Sequence, residues 1–252
     1  MHLKGMLELI PSTAHPMDVM RCVASFMGTL EPENLAAKDQ VHEAIGISKR
    51  LVALFGPSLV YWHHFHKNGL RIDTYTGKDD SVASNFMKLF ELKHTPGSEE
   101  VDPIVTETID KSLILYAEHD FNASTFCARV TASTRSDIYS AITSGIGTLR
   151  GNLHGGANEA AMEFLHQFDS VEGADAKLRD VFARKELIMG FGHRVYKNGD
   201  PRNEIIKVSK IFPCYSKCCI SNYRSAPESF PNLKPLNTPI QTFTRSPNIL
   251  KV

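Results

Sequence analysis

Apolar residues recur along this chain at intervals of three and four, and strict apolar–polar alternation is scarce. A 3.6-residue period puts such positions on one helix face, whereas a strand needs period two, so the pattern predicts an all-α fold without internal repeats. In GADAKLRDVFARKEL, Ala174, Leu178, Val181 and Phe182 share a face opposite the charges. Ile109, Leu113 and Tyr116 repeat the spacing and bring His119 to a helix end, and Ile138, Ile142 and Leu149 form a stripe behind Ser136 as the expected N-cap, with Gly151 placed to stop the helix. Ala157, Ala161, Leu165 and Phe168 line a further face. The segment VHEAIGISKRLVALFGPSLVYWHHFHKNG holds Pro57 in its interior, which predicts a kink or two helices, closed at Asn68-Gly69. Asp200 followed by Pro201 reads as a helix start.

Two stretches break the period. HTPGSEEVDP, at 94–103, reads as a polar loop. Beyond Phe212 the prolines, serines and asparagines carry no sustained apolar spacing, which predicts an extended tail that buries little. At 252 residues and 42% hydrophobic the chain is long enough to bury a core. Lys+Arg and Asp+Glu both total 28, so no basic footprint points to nucleic acid or a membrane surface. No run reaches the ~18 apolar residues of a membrane span, and the start lacks a signal-peptide layout, which together point to a cytoplasmic protein. Of the five cysteines, Cys22 and Cys127 read as small buried hydrophobes. Cys214, Cys218 and Cys219 lack partners at zinc spacing, and no metal site is expected.

Eleven histidines offer many candidates. His63, His64 and His66 fall on different helical faces and read as a partly exposed helix end, and His15 before Pro16 reads as structural or capping. His119, His154 and His193 differ, because each borders a predicted helix beside small or polar residues: AEHDFNAS, NLHGGANE and GFGHRVYKNGDPR. GNLHGGANE admits two readings, a glycine-rich turn that happens to hold an imidazole, or a place where ligand approaches the backbone beside a hydrogen-bonding ring. Arg202 at a helix start suits a carboxylate or phosphate. Three loop-edge imidazoles and an arginine make a small-anion site.

RGNLHGGANEA, GFGHRVYKNGDPR and LYAEHDFNASTFCARV, with HPMDVMR near the start, occur in an order and spacing that resembles the citrate synthase family over roughly residues 3 to 212. The wording of AEHDFNAST and HPMDVMR favours its methylcitrate branch. The resemblance implies a two-domain helical fold, here incomplete: part of a large helical domain over 1–155, part of a small domain over 156–212, and a divergent tail over 213–252. It implies an acyltransferase that joins propionyl-CoA or acetyl-CoA to oxaloacetate and releases CoA, works as a homodimer, and needs no cofactor beyond the acyl-CoA substrate. By motif, His154 is expected to stabilise the thioester enol and His193 to polarise the oxaloacetate ketone. His119, Arg202 and Asn122 are expected to bind that substrate, and Lys197 to bind CoA.

Two departures stand out. The family's proton-abstracting aspartate lies in a segment resembling FPNLDWFS, and here FPNLKPLN puts Lys234 in its place. Asn152 stands where the family usually has proline. The expectation is a chain shortened at both ends that keeps the donors and lacks the base. The alternative is a non-catalytic binding or dimerising remnant.

Overall fold

The computed structural model describes residues 2–34, 36–93, 97–190, 196 and 199–208. Among them every regular element is a helix: α1 (His2–Leu9), α2 (Pro16–Leu30), α3 (Gln40–Asn68), α4 (Val82–Phe90), α5 (Pro103–Tyr116), α6 (Ala123–Ser133), α7 (Ile138–Leu149), α8 (Ala157–Leu165), α9 (Val171–Ala183) and α10 (Arg202–Val208). The all-α reading holds. None of these helices is long and apolar enough to cross a membrane. The chain divides into two compact units, Met1–His154 and Gly155–Val252. The expected tail over 213–252, with Cys214, Cys218, Cys219 and Lys234, lies outside the described residues.

The helix starts follow local chemistry. His15 caps α2 by accepting the Met17 amide at its Nδ1 (3.1 Å), with Pro16 at the first helical position. Asp39, Ser81, Asp102 and Asn122 likewise accept amides from the first turns of α3, α4, α5 and α6. The cap of α7 is Asp137 instead of the expected Ser136, its carboxylate accepting the Ser140 amide at 2.9 Å and the Ser140 hydroxyl at 2.6 Å. A carboxylate outcompetes a neighbouring hydroxyl for an amide because its bonds are charge-assisted.

Pro57 does not divide α3, which runs unbroken for 29 residues to a left-handed Gly69 (φ 67°). The ring removes the donor for the carbonyl four residues back, and Ala53, which carries that carbonyl, lies on the exposed side of the helix. Leu7 of α1, Val19 and Val23 of α2, Ile47, Leu51, Val60 and Tyr61 of α3, Leu89 of α4 and Tyr139 of α7 are buried together in one core. Gly28 lets α2 approach α7 closely: a Cβ there would stand 3.0 Å from the Tyr139 Cβ.

Other apolar stripes are not buried. Leu113, Tyr116, Leu165 and Phe182 are all exposed, and of the α9 face only Val181 is buried. Period fixes a face; burial needs an element to cover it. Cys22 is exposed and Cys127 half-buried, so neither is the buried hydrophobe expected. WHHFHKN is the end of α3, with His63 and His66 half-buried as a partly exposed end, but His64 departs from that reading. It is buried, with Nε2 against the Leu89 and Phe90 carbonyls (3.2 and 3.1 Å) and Nδ1 against the Asn68 amide nitrogen (2.8 Å). There it ties α3 to the end of α4.

At the α1 edge of the core, Arg71 meets Glu8 through both carboxylate oxygens (2.7 and 2.9 Å) and Tyr61 donates its hydroxyl to the same group (2.6 Å). The guanidinium and then the phenol hold the Glu8 carboxyl down at about 2. A depressed carboxylate stabilises the fold above its ordinary value of 4.5 and loses that contribution as pH falls toward 2. Glu8→Gln is therefore expected to flatten the fall in stability between about pH 4.5 and 2, read as urea midpoints across that range; an unchanged slope would refute the assignment.

Candidate functional site

The first unit ends at the turn that carries His154. Helix α7 closes at Arg150, whose amide donates to the Ile146 carbonyl (3.1 Å). The Gly151 amide then donates to the Thr148 carbonyl (3.2 Å) and the His154 amide to the Gly151 carbonyl (2.9 Å), which winds the chain once more and presents the ring. Across from it, α6 begins at Asn122, whose Oδ1 accepts the Thr125 amide at 2.9 Å and lies 2.8 Å from the Ser124 hydroxyl. Gly145 faces the Ser124 carbonyl, where an added Cβ would stand 3.6 Å away, so α7 packs against the first turn of α6.

That packing brings Ser124 to His154. Nε2 of the ring lies 3.3 Å from the Ser124 amide and 2.9 Å from its hydroxyl. A peptide N–H only donates, so it requires the lone pair on Nε2, and the ring proton of the neutral form then sits on Nδ1. The hydroxyl has one proton and two acceptors in reach, Nε2 and Asn122 Oδ1, and serves one at a time. Burial first, and the neighbouring His119 second, push the His154 imidazole below its ordinary value of 6.5. At neutral pH His154 is thus an uncharged ring offering Nδ1–H.

His119 sits half-buried in the short link between α5 and α6. The link reverses sharply because Asp120 adopts φ 53°, a left-handed conformation that aspartate tolerates better than most residues, with the Asp120 amide held by the Glu118 carboxylate. The fold therefore joins three of the expected site residues, His119, Asn122 and His154, with Asn122 doing capping work at the same time. Sequence reasoning missed Ser124. It lies two positions after Asn122 inside AEHDFNAST, but nothing in helical period singles it out.

In the second unit, α8 begins at Gly156 with no side chain capping it, as a Gly-Gly sequence dictates. Arg202 opens α10, and its amide and Nε donate to Asp200 Oδ1 (2.9 and 3.0 Å) while Nη2 donates to Oδ2 (2.6 Å). The helix start read at Asp200-Pro201 is present to within a residue. One edge of the guanidinium fork is thus already engaged. His193 and Lys197 lie outside the described residues. Among the described residues no three His, Cys, Asp or Glu side chains gather to hold a metal ion.

Chemically, a neutral imidazole donor held from behind by a peptide amide, with a second imidazole beside it, suits stabilisation of a developing oxyanion: it donates a hydrogen bond without having to lose a full charge. Residues 1–210 match the family model described as citrate synthase, C-terminal domain. The chain is 50% identical over 207 residues to the 2-methylcitrate synthase of Shewanella oneidensis, covering 81% of this chain and 52% of that protein. It is 41% identical over 208 residues to the citrate synthase of Mycolicibacterium smegmatis, covering 82% and 52%. Among solved structures, citrate synthase from Thermotoga maritima matches with TM-score 0.64 at 31% identity, over 81% of this chain and 50% of that one. A ternary complex of citrate synthase from Thermoplasma acidophilum with carboxymethyl coenzyme A and oxaloacetate matches with TM-score 0.72 at 25% identity, over 86% and 55%. The chain spans about half the length of the curated relatives it matches.

Proposed function

Because the chain belongs to the citrate synthase family, we propose that it carries the donor and substrate-binding half of an acyl-CoA condensing site of the 2-methylcitrate type. The reaction joins the α-carbon of propionyl-CoA, or of acetyl-CoA, to the ketone carbon of oxaloacetate, and hydrolysis of the new thioester releases CoA. The observation that carries the reading is the His154 arrangement. A thioester α-proton is weakly acidic, and it leaves readily only if the enolate oxygen that forms meets a donor already in place. Nδ1–H of His154 is such a donor, oriented by Ser124 and kept neutral by burial.

By motif, His193 takes the ketone oxygen of oxaloacetate, and His119, Asn122 and Arg202 take its carboxylates. By motif, Lys197 binds the CoA phosphates. The relatives' names support the condensing chemistry, and the bound pair named in the Thermoplasma complex supports oxaloacetate and a CoA thioester as ligands. No cofactor enters the reaction, and the working form is a homodimer in the cytoplasm. Preference for propionyl-CoA follows the closer wording of the methylcitrate branch; one methylene in an apolar pocket discriminates by only ~1–3 kcal/mol.

Lys234 in the place of the family's aspartate favours a second reading, a chain that binds without turning over. An ammonium that keeps its proton is no base. Titration calorimetry of the purified chain with oxaloacetate, followed by thiol release from propionyl-CoA and acetyl-CoA, separates the two. Binding with release supports the condensing enzyme, binding without release supports the remnant, and absence of oxaloacetate binding refutes both.

A further inference from the structure

The HPMDVMR segment touches the His154 turn through charge. Nε of Arg150, the residue that closes α7, lies 3.1 Å from Oδ1 of Asp18 in the first turn of α2. The same oxygen receives Nη2 of Arg21 at 3.0 Å. Arg21 in turn lies along α7, its Cδ and Nη1 3.8 Å from where a Cβ on Gly147 would stand. His154, four residues beyond Arg150, is fixed at its ring by Ser124. The segment between the two anchors contains Gly151 and Asn152, and only two turn-type backbone bonds, from Gly151 to Thr148 and from His154 to Gly151, give it shape. Glycine there leaves the backbone free to take other conformations unless both ends are held.

We propose that Asp18 is a positioning residue for His154: by anchoring Arg150 it fixes where the donor turn leaves α7, so that α2 sets the aim of a ring on another element. The claim that this matters for catalysis rests on the condensing reading above; the mechanical link does not. The side chains are part-exposed, 28% for Asp18 and 44% for Arg150, and exposed pairs contribute little to global stability. A local effect on the turn without a global one is therefore the signature of this clamp.

The test uses the full chain without substrates. In Asp18→Asn, amide exchange at Gly151 and His154 is expected to quicken about tenfold, while the amides of Leu51 and Val60 in the core and the urea midpoint stay put. The His154 ring, followed by its nitrogen chemical shifts, is expected to move from a single Nδ1–H form toward a mixture of tautomers. Arg150→Gln, which removes the pair from its other side, is expected to reproduce both changes and covers the case in which Asp18→Asn fails to fold. Arg21→Gln, which leaves the Asp18–Arg150 contact, is expected to change neither. Unaltered exchange at Gly151 and His154, or quickening spread equally over Leu51 and Val60 with the ring spectrum unmoved, overturns the proposal. Because no substrate is present, failure here is distinct from failure to bind oxaloacetate.

Discussion

On the condensing reading, His154→Ala is expected to lower the rate of CoA release from propionyl-CoA in the presence of oxaloacetate by about 100- to 1,000-fold, the usual cost of deleting one preorganised oxyanion donor. The reason lies in the wiring of the ring. Its Nε2 faces the Ser124 amide and hydroxyl, so the only proton left to present is on Nδ1, and alanine offers nothing in its place. Thiol release by wild type and variant at one pH, with oxaloacetate saturating, gives the ratio. Equal, measurable rates would remove His154 from the chemistry, whereas no release by either chain would support the binding remnant. Because the substitution deletes a half-buried side chain at the end of a unit and leaves the core intact, the helical signal should be unchanged.

Tyr61→Ala carries the largest expected stability loss, ~3–5 kcal/mol, measured as the shift in urea unfolding free energy. Tyr61 is 2% exposed in the middle of α3, and its ring packs with the residues of α1, α2 and α4 that make up the core. Its hydroxyl also donates to Glu8. Tyr61→Phe separates the two contributions: it keeps the ring and is expected to cost clearly less than Tyr61→Ala. If the two variants cost the same, the ring packing would contribute nothing beyond the hydroxyl, and the core as described here would be wrong.

The particular misreadings share a cause. Pro57 is compatible with an unbroken helix because Ala53 faces water; the sequence alone does not reveal which side of α3 that is. Leu113, Tyr116, Leu165 and Phe182 sit on well-formed apolar faces and are exposed, since periodicity reports a face and is silent about what lies against it. His64 reads in sequence as part of a partly exposed helix end, and only the arrival of the α4 carboxyl end, with two carbonyls in need of a donor, makes it a buried tie. Cys22 was placed inside by the apolar run around it and is outside because its helix turns that position away from the core.

Helices, their caps at His15 and Asp200, the left-handed stop at Gly69 and the family motifs all depend on residues within a few positions of one another, and for that reason they are legible in the order of the amino acids. The meeting of His154 with Ser124, thirty positions earlier, and of Asp18 with Arg150 across α2 and α7, depends on how helices pack. Linear spacing carries no distance between elements; the close approach that Gly28 permits does. Local chemistry decided that this chain is helical and where its imidazoles lie, and tertiary packing decided which nitrogen of His154 holds the proton.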